Sequence, residues 1–396
     1  MKLDPSHISR LTSHFKNYAY IMIRFLLLLL LPAMAVAQIE KAELAIQHLI
    51  DSGKAVGIAV AVVKENKLVY SQNFGYKQLE SKTQLSNTDI FRIASISKSF
   101  SATAILQLVE ARKLKLSDDV SELIGFRVRN PRYPDKVITL EHLLSHRSSI
   151  NDRQGYFTLD AINPAKNPNA DSCYNTYAPG EGYQYCNLNF NMIGTIIEKY
   201  SGERFDQYVK KHILDPLGLY GGYCIDSLDA SRFATIYEYV NDTIGFRASP
   251  GAYAPRSEEI RNYTMGYSTP VFSPTGGMKI SAIDLARYMM MHMNYGKSNR
   301  KRLISQKHSR LMQTPLSAQE NYGLALEKTT RLITGKELVG HTGSAYGLYS
   351  AMFFDPAEKW GIVVISNGCT PRYAEGYNAV IRSVIEQLYA GIIKAD

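Results

Sequence analysis

Ser95-Ile96-Ser97-Lys98-Ser99-Phe100 opens the stretch that decides the fold. It closes a polar segment and begins an apolar helix, with Phe100, Ala104, Ile105, Leu108 and Val109 expected on the inner side and an end near Lys113-Leu114. A helix starting there sets a hydroxyl and an amine on one face, one turn apart, as covalent acyl transfer requires. Two other Ser-x-x-Lys runs occur, Ser13-His14-Phe15-Lys16 and Ser298-Asn299-Arg300-Lys301. The first falls in a targeting segment and the second in a polar loop, so context singles out Ser95.

Upstream of this helix, Ala42, Ile46, Leu49 and Ile50 form the apolar face of a helix that stops near Gly53. Gly57 to Val63 reads as a buried strand, Lys64-Glu65-Asn66-Lys67 as a turn, and Leu68 to Phe74 as the returning strand. From about 115 to 270 the pattern changes to short helices (Thr139 to Leu144, Phe190 to Tyr200, Arg204 to Leu214) joined by long polar loops. Beyond Gly276-Gly277, a helix over Ser281 to Met293 precedes strands over Ser350 to Phe354 and Gly361 to Ser366. A last amphipathic helix carries Ile381, Val384, Ile385 and Leu388. Strands at both ends with helices between predict an α/β (α+β) fold: one antiparallel sheet built from the two termini, flanked by helices, with a mostly helical insertion. The lobe boundaries fall at about 38–114 with 271–396 for the sheet and 115–270 for the insertion, and a site is expected in the cleft between them.

The formal charge of +9 over 396 residues overstates the basicity of the folded part. Residues 1–37 hold Lys2, Arg10, Lys16 and Arg24 against Asp4, a net +3 that leaves +6 for the remainder. Those bases are scattered, which argues against a nucleic-acid partner. Arg24, the leucines 26 to 31, Pro32 and Ala35-Val36-Ala37 follow the order of a secretory signal, and Met22-Ile23-Arg24 would begin a conventional one. The expected location is periplasmic or secreted, in a bacterium, with membrane contact only through that segment if it stays uncleaved. In an oxidising compartment Cys173, Cys186, Cys224 and Cys369 allow three pairings. Cys173 and Cys186, flanking the loop Tyr177-Ala178-Pro179-Gly180-Glu181-Gly182, are the pair expected to bridge. His142 and His146 share the i, i+4 spacing of a zinc site, but Glu141 precedes them and no third ligand stands out, so neither a metal nor a cofactor is expected.

Two further motifs follow Ser95 in order: Tyr185-Cys186-Asn187 after Pro179-Gly180, and His341-Thr342-Gly343. With Phe91-Arg92-Ile93-Ala94-Ser95, Leu143-Leu144-Ser145-His146, Gly276-Gly277-Met278-Lys279-Ile280-Ser281 and Ser366-Asn367, the chain over 40–390 resembles the serine β-lactamase and penicillin-binding-protein superfamily. The Tyr and His variants are similar to the branch of class C β-lactamases, DD-peptidases, D-aminopeptidases and esterases. The resemblance implies catalytic roles for Ser95, Lys98 and Tyr185. It implies substrate-binding roles for Asn187, His341, Gly343 and Ser344, with the oxyanion held by the backbone N–H groups of Ser95 and Ser344. Either Lys98 or Tyr185 can take the first proton. Gly343 is expected to let substrate lie against the strand edge, and His341, where many β-lactamases place lysine, is expected to be a weaker and pH-dependent anchor for a substrate carboxylate.

The expected function is that of an exported serine hydrolase acting on small esters, amides or peptides through an acyl-enzyme. Transfer of the acyl group to an alcohol or amine (a sterol-like acceptor among them), D-Ala-D-Ala peptidase action, β-lactam hydrolysis and a non-catalytic β-lactam or cell-wall sensor are the alternatives. Tyr174, Tyr177 and Tyr183 are read as loop packing rather than as a wall for a bulky acceptor.

Overall fold

The computed structural model describes residues 36–298, 301–317 and 319–394, so most of the expected signal segment and Ser13 lie outside the described residues. Helix α1 (36–51) leads into β1 (Ala55–Lys64) and β2 (Lys67–Gln78), joined by Glu65 and Asn66. Both turn residues have positive φ (51° and 61°), the signature of a tight two-residue hairpin. A short β3 (Thr83–Gln84) follows, then α2 (Ser97–Glu110), α3 (Asn187–Ser201) and α4 (Ala282–Met293), the last capped by Ser281. The chain ends with β4 (Glu327–Thr329), β5 (Leu338–Ala345), β6 (Leu348–Asp355), β7 (Trp360–Cys369) and α5 (Ala379–Leu388). These strands form a seven-stranded sheet in the order β4-β5-β6-β7-β1-β2-β3, every neighbour pair antiparallel.

The sheet's central strands are buried on both faces, which explains their nearly unbroken apolar runs. Ala59, Ala61 and Val63 of β1, with Val363 and Ile365 of β7, share one core with α2 and α4. Ile58, Val60 and Val62, with Ile362 and Val364, share the other with α1 and α5. Among the described residues no helix is long and apolar enough to cross a membrane.

Three features differ from the sequence reading. Helix α2 has no single inner side: Ser97, Ser99, Ser101 and Thr103 are as buried as its apolar residues. Each hydroxyl has an internal partner, as buried polar groups must. Ser99 donates to Ile96 O, Ser101 to Pro274 O and Thr103 to Ser99 O, while Ser97 Oγ accepts from Met278 N. A hairpin over Tyr237–Asn241 and Gly245–Ala248 interrupts the otherwise helical insertion. All four cysteines are free and buried: Cys173 Sγ donates to Ala161 O and Cys186 Sγ to Asp152, so the expected bridge is not made.

Candidate active site

The Ser95 turn is set by pairing of two flanking segments. Phe91-Arg92 pairs antiparallel with Lys279-Ile280, and Ile93 N donates to Met278 O. Ala94 then takes a left-handed φ of 45°, and a single 3-10 turn over Ala94–Ile96 delivers Ser95 to the head of α2. A non-glycine residue in that region is uncommon and costs energy, so the surrounding contacts must impose it. One of them is β5: a Cβ on Gly343 would lie 2.2 Å from Ile93 O and 3.1 Å from Ala94 Cβ. Gly343 therefore lets the strand pack against the Ser95 turn, a different reason for glycine from the substrate contact expected from sequence.

Of the serines at 95, 97, 99 and 101, only Ser95 is partly exposed. Lys98 is fully buried one turn on, its Nζ 3.1 Å from Ser95 Oγ, 2.9 Å from Asn187 Oδ1 and 2.9 Å from Thr275 O. Burial lowers its pKa from 10.5 to about 7, against the raising effect of Asp152. A substantial neutral fraction is therefore present at neutral pH.

Tyr185 lies against this amine, with Lys98 Nζ 4.7 Å from its ring centroid. Its hydroxyl is buried without a well-formed hydrogen bond, yet Ser95 is near enough to offset in part the upward push that burial gives its pKa. Burial wins, and the phenol keeps its proton at neutral pH. His341 is buried on β5, with Nδ1 2.5 Å from Thr342 O and Nε2 3.0 Å from Tyr322 Oη. Burial first, then Lys98, lowers its pKa to about 4, so the ring is neutral. Ser344 is exposed one residue beyond Gly343, on the same strand. The three sequence motifs thus come together, Tyr185 lying against Lys98 on one side and 6.1 Å from the His341 ring on the other.

Three residues that sequence reasoning did not single out, Asp152, Thr275 and Tyr322, complete the site together with His146, which stood there only in a flanking motif and in a zinc-like spacing. Asp152 accepts from Asn187 N at 2.8 Å, Asn187 Nδ2 at 2.9 Å and Leu188 N at 3.0 Å, besides the Cys186 thiol. It supplies the cap that Cys186 does not give α3. It also fixes the Asn187 amide so that Oδ1 faces Lys98. Thr275 donates its hydroxyl to the same Oδ1 at 2.8 Å. His146, at φ 58°, braces the Tyr185 segment twice: its carbonyl accepts from Gln184 N and its Nδ1 from Cys186 N. Its ring lies 4.3 Å from that of Tyr185, and Tyr322 closes the aromatic wall with Tyr183. Of the three tyrosines read as loop packing, Tyr183 belongs to this wall, while Tyr174 is buried and Tyr177 accepts from Asn175. Asp152, Thr275 and Tyr322 are isolated residues whose roles appear only on tertiary closure, with no local sequence signal, whereas His146 was visible in its motif but its bracing of Tyr185 was not.

Asp152→Asn leaves four donors facing a group with one acceptor and an amine. Acylation is expected to fall roughly 100-fold, the scale of a small misplacement. Removing a negative charge that raises the Lys98 pKa should also move the rising limb of the pH–rate profile to lower pH, which a merely structural loss would not do.

Among the described residues no group of three His, Cys, Asp or Glu is placed to hold a metal ion. His142 instead caps its own short helix with Thr139. A cavity of about 700 Å³ lined by Ile50, Tyr76, Tyr239, Phe246 and Arg372 contains none of the reactive groups, so chemistry and not volume locates the site.

A family model described as Beta-lactamase matches residues 42–385. Protein flp of Staphylococcus aureus (strain MW2) is 26% identical over 339 residues, 83% of this chain and 63% of that protein. The chain therefore spans less than two thirds of the length of such curated relatives. The octameric penicillin-binding protein homologue from Pyrococcus abyssi superposes with a TM-score of 0.69 at 26% identity, over 88% of this chain and 76% of that one. EstCE1, a hydrolase with promiscuous acyltransferase activity, gives a TM-score of 0.69 at 20% identity, over 89% and 99% of the two chains.

Proposed function

The chain belongs to the beta-lactamase family, and on that premise we propose that it is a serine hydrolase that forms an acyl-enzyme on Ser95 with small ester or amide substrates. The observation that carries this reading is the single contact of Lys98 Nζ with Ser95 Oγ at 3.1 Å, between a buried amine of depressed pKa and a partly exposed hydroxyl. Neutral Lys98 takes the serine proton as Oγ bonds to the substrate carbonyl carbon. The tetrahedral oxyanion is received by the backbone N–H groups of Ser95 and Ser344, and the N-terminal end of α2 adds partial positive charge. As the carbon–oxygen or carbon–nitrogen bond to the leaving group breaks, Tyr185 gives that group its proton and regains one from Lys98. Water then attacks the ester on Ser95 by the reverse relay and releases the acid.

Two features support Lys98 as base and Tyr185 as proton donor. The amine sits near its titration point at neutral pH, whereas the phenol is held protonated by burial. The likeness to EstCE1 keeps acyl transfer as a second reading, favoured specifically by the aromatic wall of Tyr183, Tyr185 and Tyr322, on which an alcohol or amine could lie ahead of water.

Intact-mass and peptide mass spectrometry after incubation with an activated aryl ester tests the proposal. One acyl group should appear on the peptide containing Ser95 and disappear as free acid accumulates. Steady hydrolysis with no adduct at any quench time, or an adduct on another residue, would rule it out.

A further inference from the structure

Resting on the Ser95 reading, we infer that the site selects neutral acyl donors, esters or amides whose leaving side bears no carboxylate, because His341 is locked as a tautomer with no N–H left for an anion. A carbonyl oxygen can only accept, so the 2.5 Å contact with Thr342 O puts the ring proton on Nδ1. Nε2 is then an acceptor, and the Tyr322 hydroxyl 3.0 Å away donates to it. Both ring nitrogens are engaged inside the protein, and His341 and Tyr322 are both buried. The position that the family resemblance assigns to a carboxylate anchor thus offers neither a charge nor a donor.

Nearby cations do not replace it. Lys98 directs its amine at Ser95, Asn187 and Thr275. Lys279 is buried and donates to Tyr223 O, and Lys328 is paired with Glu337. Arg92 donates through Nε to Gly276 O and lies over the Tyr346 ring. Acids are close instead: Glu327 pairs in register with Gly340, next to His341, and acts electrostatically on Tyr183, Tyr185 and Tyr322, while Asp152 lies behind Lys98. An incoming carboxylate would lose its water, meet aromatic rings and find none of these four cations free to pair with it. A neutral aryl or alkyl group meets the same rings favourably.

The test uses two esters of one acyl group, with 3-hydroxybenzamide or 3-hydroxybenzoate as leaving group, near pH 7.5. The wild-type kcat/KM should favour the carboxamide by about tenfold or more. His341→Lys should narrow or invert that ratio. His341→Gln, whose side-chain amide can present an N–H where the imidazole presents none, should narrow it and serves if the lysine variant does not fold. A wild-type ratio of one or below overturns the inference, and loss of the carboxylate ester alone in Arg92→Gln would show that Arg92 is the anchor. In either case an adduct on Ser95 with the carboxamide ester leaves the proposed function standing. No turnover and no adduct with both esters overturns the two together.

Discussion

Ser95→Ala is expected to lower ester turnover by about 10⁴-fold or more and to abolish the covalent adduct, with the fold intact. The substitution removes one hydroxyl from a partly exposed position, and the Lys98 amine that donates to this oxygen retains Asn187 Oδ1 and Thr275 O. A change in the far-ultraviolet circular dichroism spectrum is therefore not expected. Residual activity, if measurable, would come from substrate held beside the backbone donors and attacked directly by water, with no burst of product. The neighbouring serines cannot substitute. Ser97, Ser99 and Ser101 are fully buried and hydrogen-bonded, and Ser344, though exposed, has no amine or imidazole hydrogen-bonded to its hydroxyl among the described residues. Wild-type turnover in Ser95→Ala, measured in parallel with the adduct, would move the nucleophile elsewhere and end the mechanism.

The contact between the Ser95 hydroxyl and the Lys98 amine was legible because a helix places i and i+3 together whatever the rest of the chain does. The sheet was legible for a similar reason: alternating and continuous apolar runs, with turn residues such as Glu65-Asn66, carry their geometry locally. Flanking motifs were visible as strings but not as contacts. Phe91-Arg92 and Lys279-Ile280 turn out to be paired strands that hold the Ser95 turn, and Asn367 donates to three carbonyl groups, of Tyr76, Lys77 and Thr235.

What sequence could not give depends on closure over long separations. Asp152 and Asn187 are 35 residues apart and Lys98 and Thr275 are 177 apart, with nothing periodic to link them. An apolar inner side was expected of α2, but its hydroxyl-bearing residues are buried too, satisfied by backbone carbonyls and a buried N–H group. Gly343 and the cysteines show the same limit. Residue type announced a constraint, while the partner that sets it, Ile93 O for Gly343 and Asp152 for Cys186, is known only from the folded chain.

Lys98→Ala is expected to reduce acylation on the order of 10³-fold, the usual scale for a general base, and to erase the pH dependence that marks it. Only the neutral amine can accept the serine proton, so wild-type kcat/KM should rise with pH through an apparent pKa near 7 and level off above it. Lys98→Arg should be as inactive as the alanine variant, because a guanidinium keeps its charge at every accessible pH. One other group near the site titrates in the same range with the same sign. Burial raises Glu327 to about 7, and a carboxyl losing its proton would also give a rising limb. Glu327→Gln separates the two. If Lys98 is the base, the limb survives in Glu327→Gln, and its midpoint moves little, since Glu327 does not appear among the groups that shift Lys98. If the limb instead persists in Lys98→Ala and vanishes in Glu327→Gln, the base assignment fails while the acyl-enzyme on Ser95 stands.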